Sequence, residues 1–212
     1  MSQFLQVENE RKLLEDAFKY LIKVIGPIPI ASEKTMPFGW RKAAKGRTVW
    51  RIIEEVISQN LEKNSTVLGF KNVIPAESEV GIYDFEFKYS NLSTAYVNIK
   101  SSVKGGKKNK DDISKAVNIQ SFYNENPNAN LYIATFVIEF NKNMTVTISD
   151  CIVFPITWIP DIYINPSNNG NLQSSEYKNL DKAVKRSNQD FLIEFNKEFE
   201  IAQEKKRKKG RK

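Results

Sequence analysis

The residues that could do chemistry gather in two short stretches, Ile82-Tyr83-Asp84-Phe85-Glu86-Phe87-Lys88 and Tyr96-Val97-Asn98-Ile99-Lys100-Ser101-Ser102. Each alternates polar and apolar residues at period two, the pattern of a strand with one buried face. The polar Ser90-Asn91 between them reads as the turn of a hairpin. Asp84, Glu86 and Lys88 then share one face of the first strand, and Asn98, Lys100 and Ser102 one face of the second. Closing the hairpin around Leu92 puts Asp84 opposite Lys100 and Glu86 opposite Asn98. A carboxylate, an amide oxygen and an ammonium on one rigid surface suit hydrolysis of a phosphodiester. Asp84 would bind Mg²⁺, which takes one or two carboxylates plus water and substrate phosphate. Lys100 would orient the attacking water and steady charge on the phosphate. The Asn98 side-chain carbonyl or the Ile99 backbone carbonyl would complete the metal's surroundings. An ordinary cross-strand ion pair between Asp84 and Lys100, worth under about 1 kcal/mol, gives the same pattern.

Other chemistries are closed by composition. The 212 residues include no histidine and a single cysteine, Cys151. Histidine-dependent triads, HExxH metalloproteases, a disulfide framework and a cysteine zinc site are therefore excluded. Acid–base work falls to carboxylates, lysines, tyrosines or metal-bound water.

Several elements must position the hairpin. Helical apolar spacing predicts a helix over Ser2–Ile25, stopped by Pro27 and Pro29, and a second over Thr48–Glu62. A strand is expected over Thr66–Ile74. A helix is expected over Lys110–Asn124, with Asp111 and Asp112 in its first turn where the dipole favours acids. Long apolar strands follow at Leu131–Phe140 and Met144–Phe154. A loop rich in Pro, Asn and Gly runs from Pro160 to Ser175, and a last helix is expected over Lys178–Glu204. The order α–α–β–β–β–α–β–β–α implies an α/β or α+β core, a short mixed sheet flanked by helices. Residues 1–204 read as one domain, with a catalytic core at about 47–140 and a recognition region at about 141–175.

Acid, hairpin, then x-Lys resembles the PD-(D/E)xK nuclease superfamily and, within it, the compact Type II restriction endonucleases. Tyr83-Asp84 stands where that family has Pro-Asp, and Asn98-Ile99-Lys100 where it has Asp/Glu-x-Lys. The amide leaves one negative charge fewer for the metal, and Glu86, on the same face, is expected to compensate. Family members often carry a glutamate on the helix before the hairpin. Glu54, thirty positions ahead of Asp84, stands there, with Glu55 as its neighbour. The resemblance covers about residues 47–140. It implies a restriction-endonuclease-like fold, Mg²⁺, double-stranded DNA as substrate and a homodimer, since cutting both strands needs two sites. A repair or junction-resolving nuclease of the same fold, and a non-catalytic nucleic-acid-binding protein, are the alternatives.

The formal charge of +7 belongs mostly to the end of the chain, where residues 205–212 hold seven bases. That tail is expected to be disordered when free and to grip phosphates without regard to sequence. Two one-signed stretches lie in the body, Phe38–Arg51 and Lys100–Lys110. From them Trp40, Arg41 and Lys42, and Lys104, Lys107 and Lys108, are expected at the DNA backbone or in a groove. Asn168, Asn169 and Asn171 in the 160–175 loop are expected to read base edges, as paired amides do. Gln120 and Tyr123 are assigned to packing. No run of 18 apolar residues exists, so no membrane span is expected. The acidic N-terminus lacks the apolar stretch of a signal peptide, and a cytoplasmic, prokaryotic protein is expected.

Overall fold

The structure is a computed structural model that describes residues 3–41, 46–77, 81–89, 94–167 and 170–209. Its elements are α1 (Gln3–Ile25), β1 (Ile28–Pro29), α2 (Gly46–Asn64), β2 (Phe70–Pro75), β3 (Phe85–Tyr89), β4 (Thr94–Val103), β5 (Asp111–Lys115), α3 (Ala116–Glu125), β6 (Asn130–Phe140), β7 (Thr145–Pro155), β8 (Tyr163–Ile164), β9 (Asn171–Ser174) and α4 (Asn188–Lys209). They form an α+β fold with a six-stranded mixed sheet in the order β1-β7-β6-β4-β3-β2, and a three-stranded sheet, β5-β9-β8. The β4–β6 pair is parallel and the remaining neighbours are antiparallel. The run α2, β2, β3, β4, α3 and β6 follows the expected order except that β5 is inserted between β4 and α3.

Hydrophobic spacing explains the layers. Leu14, Phe18 and Leu21 recur along one side of α1 and are fully buried. The Phe18 ring meets Phe85 at 6.2 Å and Phe136 at 5.4 Å, so α1 covers the sheet face that carries Phe85, Val97 and Ile99. On α2, Ile53, Ile57 and Leu61 form the equivalent stripe, against β4 and beside α1. The other face is closed by α3 and α4 through a chain of rings: Tyr96–Phe122 at 5.0 Å, Phe122–Tyr123 at 5.1 Å, Tyr123–Phe191 at 6.0 Å and Phe191–Phe195 at 5.5 Å. Strand β6, central and covered on both faces, is accordingly an almost unbroken apolar run. Tyr123 packs in the core and Gln120 hydrogen-bonds Asn196, so both serve packing.

Four expectations about the elements are corrected. Asp111 and Asp112 do not open a helix. They begin β5, which pairs with β9 (Asp111 with Ser174, Lys115 with Asn171), and the helix starts only at Ala116. The 160–175 segment is not a free loop, because β8 and β9 lie within it and complete the second sheet. Residues 66–69 are a turn, and the strand begins at Phe70. The last helix begins at Asn188, ten residues later than expected, because Ser187 caps it: Asp190 N–H donates to Ser187 Oγ at 3.1 Å. Before it, Val184 N–H reaches the Trp158 carbonyl at 3.0 Å and Arg186 reaches that of Ile159 at 2.9 Å, which keeps this stretch out of the helix. At its other end α4 continues through Lys209, so the first basic residues of the tail are helical, where cations suit the negative end of the dipole. Among the described residues no helix is long and apolar enough to cross a membrane.

Candidate active site

Asp84 stands just ahead of β3 and is tied to strands on both sides. Its N–H donates to the Val97 carbonyl on β4, and its own carbonyl accepts from Ala76 N–H beyond β2, both at 2.8 Å. Here the β3–β4 ladder ends. The next free donor on β4 is the N–H of Ile99, and the carboxylate of Asp84 takes it, with Oδ2 accepting at 2.5 Å. In an antiparallel pair the N–H and C=O of one residue point to the same side. The Ile99 carbonyl therefore leaves β4 toward the opening that Asp84 occupies.

The hairpin register differs from expectation by two residues. Phe85 pairs with Val97 and Glu86 with Tyr96, rather than Glu86 with Asn98. An even shift keeps every side chain on its face, but it changes neighbours. Tyr96 and Tyr83 both feel the charge of Glu86. Glu86 thus belongs to an aromatic depression beside Tyr83 and Tyr96, and does not stand across from Asn98. Asn98 is buried, and its Nδ2 donates to the Ile82 carbonyl at 2.8 Å. It holds the segment leading into Asp84 against β4. An aspartate could not make that bond, having no proton to donate, which is a physical reason for an amide at this position.

Glu54 comes from α2, half-buried over the same opening. Burial, and then the Asp84 carboxylate, push it up to about 7, against the pull of Lys100 and Arg51. Burial also raises Asp84, opposed by the Ile99 N–H, Lys100 and Arg51. Burial lowers Lys100, opposed by Asp84, Glu54, Asp112 and Asp111 in that order. Glu54 of α2, Asp84 just ahead of β3 and Lys100 of β4 therefore act on one another electrostatically.

The donors fit a hard cation. They are oxygens only: two carboxylates that hold protons too readily when no counter-charge is near, and the Ile99 carbonyl. Among the described residues no group of three or more Asp, Glu, Cys or His side chains converges. That set suits Mg²⁺, which keeps several waters and needs one or two carboxylates, better than a cation that demands an all-protein cage.

Glu54 and Lys100 line a groove of about 1290 Å³. Its other wall carries residues 104–109, Asp111, Asp112, Tyr177 and Lys178. The turn that ends β4 requires its glycines: Gly105 has φ +69°, and a Cβ on Gly106 would lie 2.9 Å from the Val103 carbonyl oxygen. Lys107 is exposed on this wall. Lys104 pairs with Glu139 at 2.7 Å and Lys108 with Glu176 at 2.6 Å.

The other expected DNA contacts fare differently. Trp40 is not a free wedge. Its Nε1 donates to the Asn141 carbonyl at 2.7 Å and its ring packs on Phe140 at 4.9 Å. Arg41 is exposed, with its guanidinium over the Phe38 ring at 4.2 Å. Asn171 is a strand residue of β9, and nearby amides serve the small sheet: Gln173 Nε2 donates to Asp112 at 2.6 Å and Asn165 Nδ2 to Gln173 at 3.3 Å. Lys42, Asn168 and Asn169 lie outside the described residues.

Four residues at the groove were not anticipated: Trp50, Asp111, Tyr177 and Lys178. Trp50 precedes Glu54 by one helical turn on α2, a spacing that could have been read as a shared face. Asp111 accepts from the Tyr177 hydroxyl and from Lys178 Nζ, both at 2.9 Å, and its field reaches Lys100. No local signal points to that cluster, because Tyr177 and Lys178 lie more than sixty residues from Asp111. The chain matches no family model and no curated protein.

Proposed function

We propose that this protein is a Mg²⁺-dependent endonuclease that hydrolyses phosphodiester bonds in double-stranded DNA at specific sites, a Type II restriction enzyme of the PD-(D/E)xK kind. The observation that carries the reading is the meeting of Glu54, Asp84 and Lys100 where the β3–β4 ladder ends. The order of elements around it supports the same reading. Asp84 and Glu54, with the Ile99 carbonyl, would hold the cation. When bound, Mg²⁺ neutralises charge on the scissile phosphate and makes water a stronger acid.

The chain's own groups do the rest. The Ile99 N–H fixes the direction of the Asp84 carboxylate, and Asn98 holds the backbone ahead of it. Glu54, which burial and the Asp84 carboxylate hold above the ordinary range, gains a counter-charge when a cation binds and then ionises. The Lys100 ammonium, its base anchored in the sheet, faces the charge that grows on the phosphate oxygens. Cutting both strands takes two such sites, so the working form is a homodimer, active in a prokaryotic cytoplasm.

Incubation of purified protein with plasmid DNA and Mg²⁺ tests this. Discrete bands that vanish with EDTA support the proposal. Smearing, or cutting only at junctions or lesions, turns it toward a repair or junction-resolving nuclease. Intact DNA across a range of plasmids, with Mg²⁺ or Mn²⁺, refutes it in favour of a binding protein.

A further inference from the structure

Arg51 stands next to the carboxylates of the site, yet among the described residues its guanidinium forms no ion pair. Its own helix offers two partners, Glu54 and Glu55, at the spacings where arginine and glutamate ordinarily meet. It takes neither. Glu55 accepts a hydrogen bond from Gln59 Nε2 at 2.7 Å. Arg51 instead turns back over the preceding residue, with its Cζ 4.0 Å from the centre of the Trp50 ring. Trp50 lines the groove together with Glu54, and the charge of Arg51 is felt by both Glu54 and Asp84. Of the lysines that line the groove, Lys104, Lys108 and Lys178 are paired with Glu139, Glu176 and Asp111 at 2.7, 2.6 and 2.9 Å, while Lys107 is exposed.

Stacking engages the flat face of a guanidinium and leaves its in-plane donors free. An exposed guanidinium seated over an indole, in the field of two carboxylates it does not pair with, is available to an anion that arrives from outside. We infer that Arg51 is a substrate-binding residue whose free edge grips a backbone phosphate of DNA lying in the groove, with Trp50 as the residue that positions it. The inference rests on the nuclease reading and deepens it by naming a phosphate clamp on α2, next in sequence to Trp50, which lines the groove with Glu54. Two parallel N–H donors match two non-bridging phosphate oxygens, which a lysine cannot imitate.

The test is fluorescence anisotropy of an end-labelled DNA duplex with the full-length protein, across a salt series in EDTA so that nothing is cut. Arg51→Met should weaken binding about five- to tenfold near 0.1 M salt and reduce the slope of log affinity against log salt by about 0.9, the signature of one lost phosphate contact. Arg51→Lys should keep the slope and recover only part of the affinity. Trp50→Leu should lose affinity although no charge is removed, and Trp50→Phe, which keeps an aromatic face, should retain most of it. Because Arg51 is exposed, its variants should melt as the parent does, which separates this role from one in folding. If the parent protein binds duplex and cuts plasmid while Arg51→Met matches its affinity and slope, the clamp is overturned and the nuclease reading stands. A parent protein that binds no duplex overturns both.

Discussion

Glu10 on α1 and Glu54 on α2 are both carboxylates that burial holds above the ordinary range, yet their neighbours differ in kind. Glu10 is 1% exposed. Its Oε2 accepts from the Tyr132 hydroxyl at 2.5 Å and from Asn130 Nδ2 at 2.6 Å. Its Oε1 is buried with no partner among the described residues, an environment for a carboxyl that keeps its proton. Glu54 has a second carboxylate beside it, two cations nearby and a groove in front. Burial alone therefore does not mark a site. Opposed charges brought from separate elements to a solvent-filled groove do, because only they respond to a charged substrate or metal.

Breaking the Glu54 side of this comparison should have the largest effect. Asp84→Ala or Lys100→Ala should lower plasmid cleavage about 10²–10³-fold, on the order of 3–4 kcal/mol of lost transition-state stabilisation, and Asp84→Ala should also lower the thermal melt because the Ile99 N–H loses its acceptor. Wild-type cleavage by Lys100→Ala would place the chemistry elsewhere.

The Glu10 side should answer in stability and not in cleavage. Glu10→Ala leaves the buried Tyr132 hydroxyl only its long 3.4 Å bond to the Val7 carbonyl and should cost about 1–3 kcal/mol in a urea titration, with cleavage per folded molecule unchanged. Its pH dependence has a definite sign. The folded-state pKa lies above the ordinary 4.5, so the folded state holds this proton more tightly than the unfolded chain. The contribution is fully present below about pH 4.5 and is lost as pH rises through the folded value. Glu10→Gln should flatten that decline. An unchanged decline would assign it to other groups.

Asn98 sharpens the comparison from within the site. Asn98→Asp faces a carboxylate toward the Ile82 carbonyl in place of the 2.8 Å hydrogen bond, and should lose about 1–2 kcal/mol of stability. If Asn98→Asp is instead as stable and cuts faster, the amide acts as a metal ligand rather than as a brace. The smallest effect is expected from removing residues 205–212. Binding to all duplexes should weaken alike and its salt dependence should flatten, with the preferred cleavage sequence unchanged. A changed preference would show the tail reading bases.

Particular residues show why parts of this molecule were legible and others were not. The alternation in residues 82–88 and 96–102 identified a hairpin and its two faces, because a strand's side-chain period is a local property. Its register was off by two residues, since an even shift keeps the same faces and the alternation cannot distinguish the two pairings. The acids of residues 111–112 satisfied the rule for a helix start, but their backbone bonds go to β9, about sixty residues away. The cap at Ser187 was readable, as a serine three residues before Asp190 and ahead of an apolar run.

Local chemistry thus determined which oxygens and which lysine were available, the absence of histidine chemistry, and the amphipathic helices that must cover a sheet, all of which follow from residue type and periodicity. Tertiary structure alone decided that Asp84 caps the Ile99 N–H instead of facing Lys100 across the ladder. It also decided that Trp40 is pinned to Asn141 while Trp50 faces the groove, and that the second sheet brings Asp111 toward Lys100. Those outcomes depend on which distant backbone groups find partners, and a buried donor or acceptor must find one wherever the chain happens to supply it.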